Sequence, residues 1–347
     1  MYSVDLGARD FFKRLGVDYD LFVTQERLRV GALRYRLLRE LDELRDYDTI
    51  VYWGDFLNNP MWGQSDYAQR DVTRHGVGSL SEGFDNWRRL YLPNQDTLPD
   101  STRVLALGGC FIGMDGALAD ASLKASLRQF IRRSTAVVVR DPASFEMLSV
   151  ATDADPHVSL GFDCASLMRS PRQAWWRGPY FAYSFGRALS PENASELVRR
   201  VEGLTKLRGI PIQWLGQTRP KRFRHARFAA NLALMRHARF CLTDTYHFAM
   251  NSMSQGSLPV CVVRDEPAVP STLNELKKTM LLRMVGLDRA VMHAPGETMQ
   301  PVSNGVLLEI AQKVAETVCS THVGSDWRAG YTDRQRDFEA QLRRHFV

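Results

Sequence analysis

The stretch TDTYHFAMNSMSQGSLPVCVV, residues 243–263, places His247 one turn into a helical pattern that begins where an apolar run ends. Gly256 closes that pattern, and a second apolar run, Leu258 to Val263, follows at once. In the first turn of a helix the dipole disfavours an imidazolium, and unpaired backbone N–H groups invite an anion. A neutral His247 there can donate to a phosphate or carry a proton in transit. Asp244 or Thr243 is the expected cap of that helix, and Thr245 adds a hydroxyl beside the anion.

Two further segments end apolar runs with charge. In VVVRDPASFEML, residues 137–148, Arg140 and Asp141 precede Pro142; in SLGFDCASLM, residues 159–168, Asp163 stands at the tip. Asp141 followed by proline at the first helical position also reads as a plain N-cap, and Asp163 as a turn cap. As chemistry, Asp141 or Asp163 can act as base or orient a substrate. Arginine suits phosphate and carboxylate because its planar fork binds them bidentately. The candidates are Arg140, Arg187 in YSFGRALSP, and Arg219 with Lys221 and Arg222 in GQTRPKRF. The basic stretch 219–228 reads first as a solvated helix face, and otherwise as a lining of a cleft or a docking surface for an anionic bilayer. In VYWGDFLNNPMWGQSDY, residues 51–67, Trp53, Asp55 and Trp62 suit the face of a sugar, whereas Tyr52 reads as core.

These tips need elements to position them. At 347 residues, 44% apolar and 24% charged, the chain suits two globular domains. No apolar run approaches the roughly 20 residues of a membrane span, and the opening MYSVDLGARDFF is unlike a signal peptide. The five cysteines form no CxxC pair, so a reduced, cytoplasmic protein is expected, with neither metal site nor cofactor. A net charge of +6 points to anionic partners. Basic residues do not interleave with aromatics, so nucleic acid is not among them.

Apolar runs predict strands at Tyr19–Thr24, Thr49–Gly54, Arg103–Gly108, Ala136–Arg140 and Val158–Asp163, then at Tyr180–Phe185, Ile210–Leu215, Arg239–Thr243 and Leu258–Val263. Helical patterns alternate with them. One is expected at residues 25–46, with Leu33, Leu37, Leu41 and Leu44 on one face; another starts at Ser190-Pro191-Glu192. This is the pattern of parallel sheets covered on both faces. The expected architecture is two Rossmann-like, doubly wound domains facing across a cleft. Residues 1–170 form the first domain and 171–330 the second, with a hinge in MRSPRQAWWRGP, residues 168–179. Residues 331–347 are expected to form a helix, capped at Thr332 and Asp333, that crosses back to the first domain. Ligands bind such sheets at the carboxyl ends of the strands.

VVVRDPAS resembles the SVRD-x-x-S signature of the polysaccharide pyruvyl transferase family. GFDCASLM resembles that family's D-P-A-F-like segment, and TDTYHFAMNSMSQGSLPV its TDSFH or RLHG segment. The three occur in the family's order, and the resemblance covers roughly residues 45–265. It implies a GT-B-like fold, the first domain on the acceptor side and the second on the phosphoenolpyruvate side. It also implies transfer of the enolpyruvyl carbons of phosphoenolpyruvate to a sugar or lipid-linked glycan, at the inner face of the membrane. His247, Asp141 and Asp163 are then the catalytic candidates. Arg140, Arg187, Arg219, Lys221 and Thr245 fall to phosphoenolpyruvate, and Trp53, Asp55 and Trp62 to the acceptor. Three departures stand out. The family's opening strand is replaced by MYSVDLGARDFF, Thr245 stands where the RLHG variant has arginine, and Phe248 follows the histidine where a small residue is usual. That ring is expected to crowd the pocket. A nucleotide-sugar glycosyltransferase on the same plan, or a non-catalytic member, is the alternative. LALGGCFIGMDG, residues 105–116, lacks G-x-G-x-x-G and so gives no nucleotide fingerprint.

Overall fold

The computed structural model describes residues 2–25, 29–30, 33–169, 174, 176–214, 223–265, 273–320 and 326–346. The chain divides into two compact units: residues 1–168 with 337–347, and residues 169–336.

The first unit opens with helix α1 (Tyr2–Leu15) and a small three-stranded sheet of β1 (Leu21–Val23), β2 (Arg29–Val30) and β3 (Leu33–Leu37). Its main sheet is parallel: β4 (Thr49–Asp55), β5 (Arg103–Gly109), β6 (Ala136–Val139) and β7 (Val158–Leu160) lie side by side in chain order. The connections carry α2 (Pro60–Trp62), α3 (Ala68–His75), α4 (Leu80–Tyr91), α5 (Asp115–Leu118), α6 (Ala121–Arg133) and α7 (Pro142–Ala151). Alternate strand residues serve the two faces. Val104, Ala106, Val137 and Val139 pack with Leu123, Leu127, Phe130 and Ile131 of α6. On the other face Gly161 sits against Val138 and Phe338. Such continuously apolar strands are the mark of a sheet covered on both sides.

The second unit holds β8 (Tyr180–Ser184), α8 (Pro191–Thr205), β9 (Arg208–Pro211), α9 (Arg224–His237), β10 (Phe240–Thr243), α10 (Tyr246–Ser254), β11 (Leu258–Asp265), α11 (Leu273–Met284), β12 (Val291–Pro295) and α12 (Asn304–Cys319). Its five strands are all parallel, in the order β12-β11-β10-β8-β9. The chain goes from β8 outward to β9, then returns to the far side of β8 for β10. The winding direction therefore reverses between β8 and β10. Helix α13 (Asp326–Arg343) starts in this unit and ends in the first. The architecture is α/β with parallel sheets throughout its main layers.

Local signals explain several boundaries. Ser190 caps α8 by accepting from Asn193 N, with Pro191 at the first position. Asp141 caps α7 in the same way, accepting from Ser144 N. Other expectations are corrected. Residues 25–46 are not a helix: Leu33-Arg34-Tyr35-Arg36-Leu37 alternates with period two and pairs alongside Leu21–Val23. Leu41 and Leu44 are buried from a single 3₁₀ turn instead. The strand expected at Ile210–Leu215 lies earlier, at Arg208–Pro211, and Leu215 falls outside the described residues. The last helix begins at Asp326, so Thr332 and Asp333 lie inside it rather than at its cap. Strand β12 was not anticipated, its short run VMHAP being too polar to register. Much of the expected hinge, residues 170–173 and 175, lies outside the described residues.

Helix α1 rests on the 3₁₀ turn Cys164–Leu167 through Gly7. A Cβ at Gly7 would stand 2.2 Å from the carbonyl oxygen of Cys164, and Arg14 donates to the carbonyl of Leu167. Backbone cannot move aside as a side chain can, so Gly7→Ala is expected to cost about 1–3 kcal/mol by overpacking. Chemical denaturation of the two proteins measures this. A wild-type midpoint would mean that α1 does not lie on the 163–167 turn.

Candidate functional site

At the carboxyl ends of the first unit's strands, four of the expected site residues meet: Asp55 after β4, Arg140 and Asp141 after β6, and Asp163 after β7. Arg140 Nη1 lies 3.1 Å from Asp163 Oδ2 and 3.8 Å from Asp55 Oδ1, and Nε lies 4.0 Å from Asp141 Oδ2. The guanidinium also stands over the Phe56 ring, 5.4 Å from its centroid. Its side chain is only 2% exposed. Arg140 was expected to hold phosphoenolpyruvate; instead it faces carboxylates, because a buried guanidinium needs counter-charge.

The two aspartates expected to be catalytic are equally committed. Asp163 Oδ1 accepts from Ala165 N, and the side chain is 1% exposed. Asp141 accepts from Ser144 N through Oδ1 and from Ser144 Oγ through Oδ2. Both carboxylates are buried, and each caps the turn that follows it. Asp55 differs, with a side chain 20% exposed. Its φ of 56° is in the left-handed region, which aspartate tolerates better than most residues. Asp5 from α1 shares this end. Burial raises its carboxyl pKa, the Tyr35 hydroxyl donating at 2.7 Å opposes the rise, and nearby Asp55 adds to it. Burial, and after it the Asp163 charge, raises the Cys164 thiol well above its usual range.

The tryptophans expected to meet a sugar are half-buried and packed on neighbouring rings. Trp53 donates from Nε1 to the carbonyl of Val4 at 3.0 Å and packs on Phe11 and Phe12. Trp62 lies edge-on to Tyr67 and Tyr91. The period-two alternation that buries Tyr52 on one face of β4 turns Trp53 to the other, against α1.

In the second unit the remaining described candidates lie where the winding reverses. Ser184 and Thr243 end the adjoining strands β8 and β10 in register, and Thr243 Oγ1 donates to the carbonyl of Ser184 at 2.7 Å. Asp244 follows. Its Oδ2 accepts from the backbone nitrogens of Gly186 (3.1 Å), Arg187 (2.8 Å), Ala188 (2.7 Å) and Leu189 (3.3 Å). Gly186 makes the turn with φ of 146°, a conformation that side chains disfavour. Asp244 is therefore not the cap of α10, and neither is Thr243. The cap position is Thr245, whose hydroxyl turns to Asp244 Oδ1 at 3.2 Å and whose N–H donates to Thr243 Oγ1.

Beneath Asp244 lies a buried ion pair. Lys278 Nζ donates to the carbonyls of Asp244 (2.9 Å) and Val262 (3.2 Å) and to both oxygens of Glu275 at 2.8 Å. Glu275 Oε2 also accepts from Arg264 N. The Lys278 side chain is 1% exposed. Sequence reasoning missed this pair; a Glu and a Lys three apart in LNELKK carry no signal of burial.

Around this frame, His247 is half-buried in the first turn of α10, with Tyr246 edge-on at 5.2 Å. Arg187 is exposed on a loop whose backbone Asp244 holds. Phe248 does not crowd them: its ring is fully buried, edge-on to Trp214 and packed with Ala182, Met235 and Cys241. One step along a helix carries a side chain about 100° round, here from the strand-end side to the core. Arg219, Lys221 and Arg222 lie outside the described residues. Burial pushes the thiols of Cys241 and Cys261 up to about 11 and about 12, so neither is a thiolate at neutral pH. Among the described residues no group of three or more His, Cys, Asp or Glu is arranged to hold a metal ion. No described helix is long and apolar enough to cross a membrane.

No protein-family model and no curated protein matches the chain. Among solved structures it is similar to CalG4, the calicheamicin glycosyltransferase, at 14% identity and a TM-score of 0.46, covering 97% of this chain and 90% of that one. It is similar to a functionally uncharacterised protein from Klebsiella pneumoniae subsp. pneumoniae at 11% identity and a TM-score of 0.43, covering 84% and 86%. A third is a variant of S. aureus TarM in complex with fondaparinux, alpha-GlcNAc-glycerol and UDP, at 8% identity and a TM-score of 0.38. There the match covers 74% of this chain and 52% of that one.

Removing one member of a buried ion pair strands the other. Lys278→Met is therefore expected to lower unfolding free energy by about 3–5 kcal/mol. Adding Glu275→Gln should recover part of that loss, because the second charge is then gone. Urea titrations of the single and double variants test this; a double variant weaker than the sum of the singles would refute the pairing.

Proposed function

We propose that the chain is a pyruvyl transferase that moves the enolpyruvyl group of phosphoenolpyruvate onto a sugar bearing two hydroxyls. The carrying observation is the convergence of Arg187, Thr245 and His247 on two adjoining strand ends at the reversal point of the second unit's sheet. Open α/β sheets bind ligands at that kind of place. A guanidinium, a hydroxyl and an imidazole suit a small molecule carrying both phosphate and carboxylate. The resemblance of three ordered segments to the pyruvyl transferase family supports the same reading.

The chemistry is a ketal formation. A proton added to the methylene carbon of phosphoenolpyruvate generates a methyl group and an electrophilic carbon beside it. One sugar hydroxyl attacks that carbon and loses its proton to a base. The second hydroxyl then replaces the phosphate: its oxygen bonds that carbon, the carbon–oxygen bond to phosphate breaks, and its proton leaves with the departing inorganic phosphate. In this reading His247 delivers the proton and Arg187 holds the anionic groups, with Thr245 beside them. Arg219 and Lys221 keep their proposed part in phosphoenolpyruvate binding. Asp55 keeps its proposed part in binding the acceptor, because it is the carboxylate of its cluster with surface. Arg140 and Asp163 fix its position. The acceptor is a sugar or a lipid-linked glycan, and contact with an anionic bilayer through residues 219–228 belongs to the same proposal.

Phosphate release from phosphoenolpyruvate with a glycan acceptor tests the roles. His247→Ala should melt like the wild type yet turn over at least about 10²-fold more slowly, the usual scale for an acid–base group. Arg187→Ala should chiefly raise KM, by an amount worth about 1.5–3 kcal/mol for a charged hydrogen bond. Asp55→Asn should raise the KM for the glycan acceptor without altering the melting curve. Full turnover by His247→Ala would end the assignment. In a thermal-shift panel, stabilisation by UDP or CDP with none by phosphoenolpyruvate would favour a nucleotide-sugar glycosyltransferase.

A further inference from the structure

We infer that Asp244 is a built-in plug: its carboxylate fills an anion nest that the loop Gly186–Leu189 would otherwise offer to a phosphate, and it thereby bars diphosphates from this strand end. The loop follows β8, the first strand of the second unit's sheet, and leads into α8. In dinucleotide-binding folds that loop and helix start receive the pyrophosphate through consecutive backbone N–H groups. Here four consecutive N–H groups, from Gly186 to Leu189, converge on one point 2.7–3.3 Å from each nitrogen. Backbone amides arranged in this way form an anion-binding concavity. The anion present is Asp244 Oδ2.

The plug is anchored from behind. Asp244 is 1% exposed, its other oxygen accepts from Thr245 Oγ1, and its own carbonyl accepts from the buried Lys278 ammonium. Strand β10 fixes its backbone, with Thr243 tied to Ser184 across to β8. A phosphate entering the nest would have to expel a carboxylate held by four N–H groups, or else sit against it as a second buried anion. Both are strongly unfavourable. The helix start beyond the loop is closed as well, since Ser190 Oγ takes Asn193 N. Anions at this end must then be held by side chains, Arg187 first among them. That arrangement suits a single phosphate on a small molecule and disfavours a nucleoside diphosphate.

The test removes the plug and supplies inorganic phosphate or pyrophosphate. It is run in an Arg187→Ala background, so that binding by that side chain does not contribute, with chloride matching the ionic strength. Asp244→Ala should lower Tm, and millimolar phosphate or pyrophosphate should restore at least about 2 °C of it, as expected when an anion binds only the folded state. Arg187→Ala alone should show no such gain. A gain no larger in the double variant than in Arg187→Ala overturns the proposal. Hydrogen exchange supplies a second reading that does not depend on the alanine variant folding. In the wild type the amides of residues 186–189 should be protected, and in Asp244→Asn they should exchange at least about 10-fold faster, the equivalent of losing one charge-assisted bond. Wild-type amides exchanging at the rate of an unfolded chain would equally overturn it.

Discussion

The second unit depends on a single carboxylate oxygen. An ionised side chain removed from water loses several kcal/mol of solvation unless hydrogen bonds or counter-charge replace it. Asp244 is buried, and the replacement comes almost entirely from peptide N–H groups of a loop on the neighbouring strand. The dependence runs both ways. Without the carboxylate the loop has four donors to satisfy, and without the loop the carboxylate has no adequate partner. This reciprocity fixes the path of residues 185–189 as firmly as a strand ladder would, although the segment is neither helix nor strand. Charge-assisted bonds to backbone are among the stronger hydrogen bonds in proteins, and several share this acceptor. The Lys278–Glu275 pair below adds nothing to the loop directly. It pins the Asp244 backbone, so that the oxygen stays on its mark.

The first unit solves a related problem with side chains. Three carboxylates at its strand ends gather round Arg140, and two of them double as helix and turn caps. A guanidinium carries five donors in a rigid fork and can serve several acceptors at once. Here its near-complete burial means that the carboxylates define its position and it defines theirs. The outcome differs from that of the second unit. There, backbone amides consume the negative charge; here one carboxylate of the set, Asp55, keeps some access to solvent. A positioned, partly exposed carboxylate is the one member of this cluster able to meet a ligand.

The sequence made the strands of both main sheets legible because parallel strands covered on two faces are written as unbroken apolar runs, and VLALGG, AVVV and FCLT are of that kind. The strand ends were legible for the same reason: each run stops at a charged or polar residue. The helix expected at residues 25–46 shows the limit of the method. Leucines at 33, 37, 41 and 44 satisfy a helical period, but Leu33, Tyr35 and Leu37 also satisfy a strand period, and pairing with β1 decided between them. Roles were less legible than positions. Arg140 and Asp163 were placed at strand tips, yet no spacing tells that 23 residues apart they form a buried pair. Asp244 beside a helix start looks like a cap. Its actual partners lie more than 50 residues upstream, on a strand that becomes a neighbour only when the winding reverses.

That reversal links the topology to ligand selectivity. A fold of this kind ordinarily offers its first loop's amides to a phosphate, because nothing else is near enough to use them. When the adjoining strand ends in an aspartate, the amides find an internal partner and the backbone ceases to be a general phosphate site. In the proposed reading, recognition then passes to side chains such as Arg187, mounted on the held loop, and His247, mounted on the first turn of α10. Side chains discriminate by shape and charge placement, whereas a row of amides accepts any oxyanion of suitable size. A chain with net charge +6 attracts many anions. Closing its most permissive anion site with its own carboxylate leaves selection to the residues that can distinguish one anion from another.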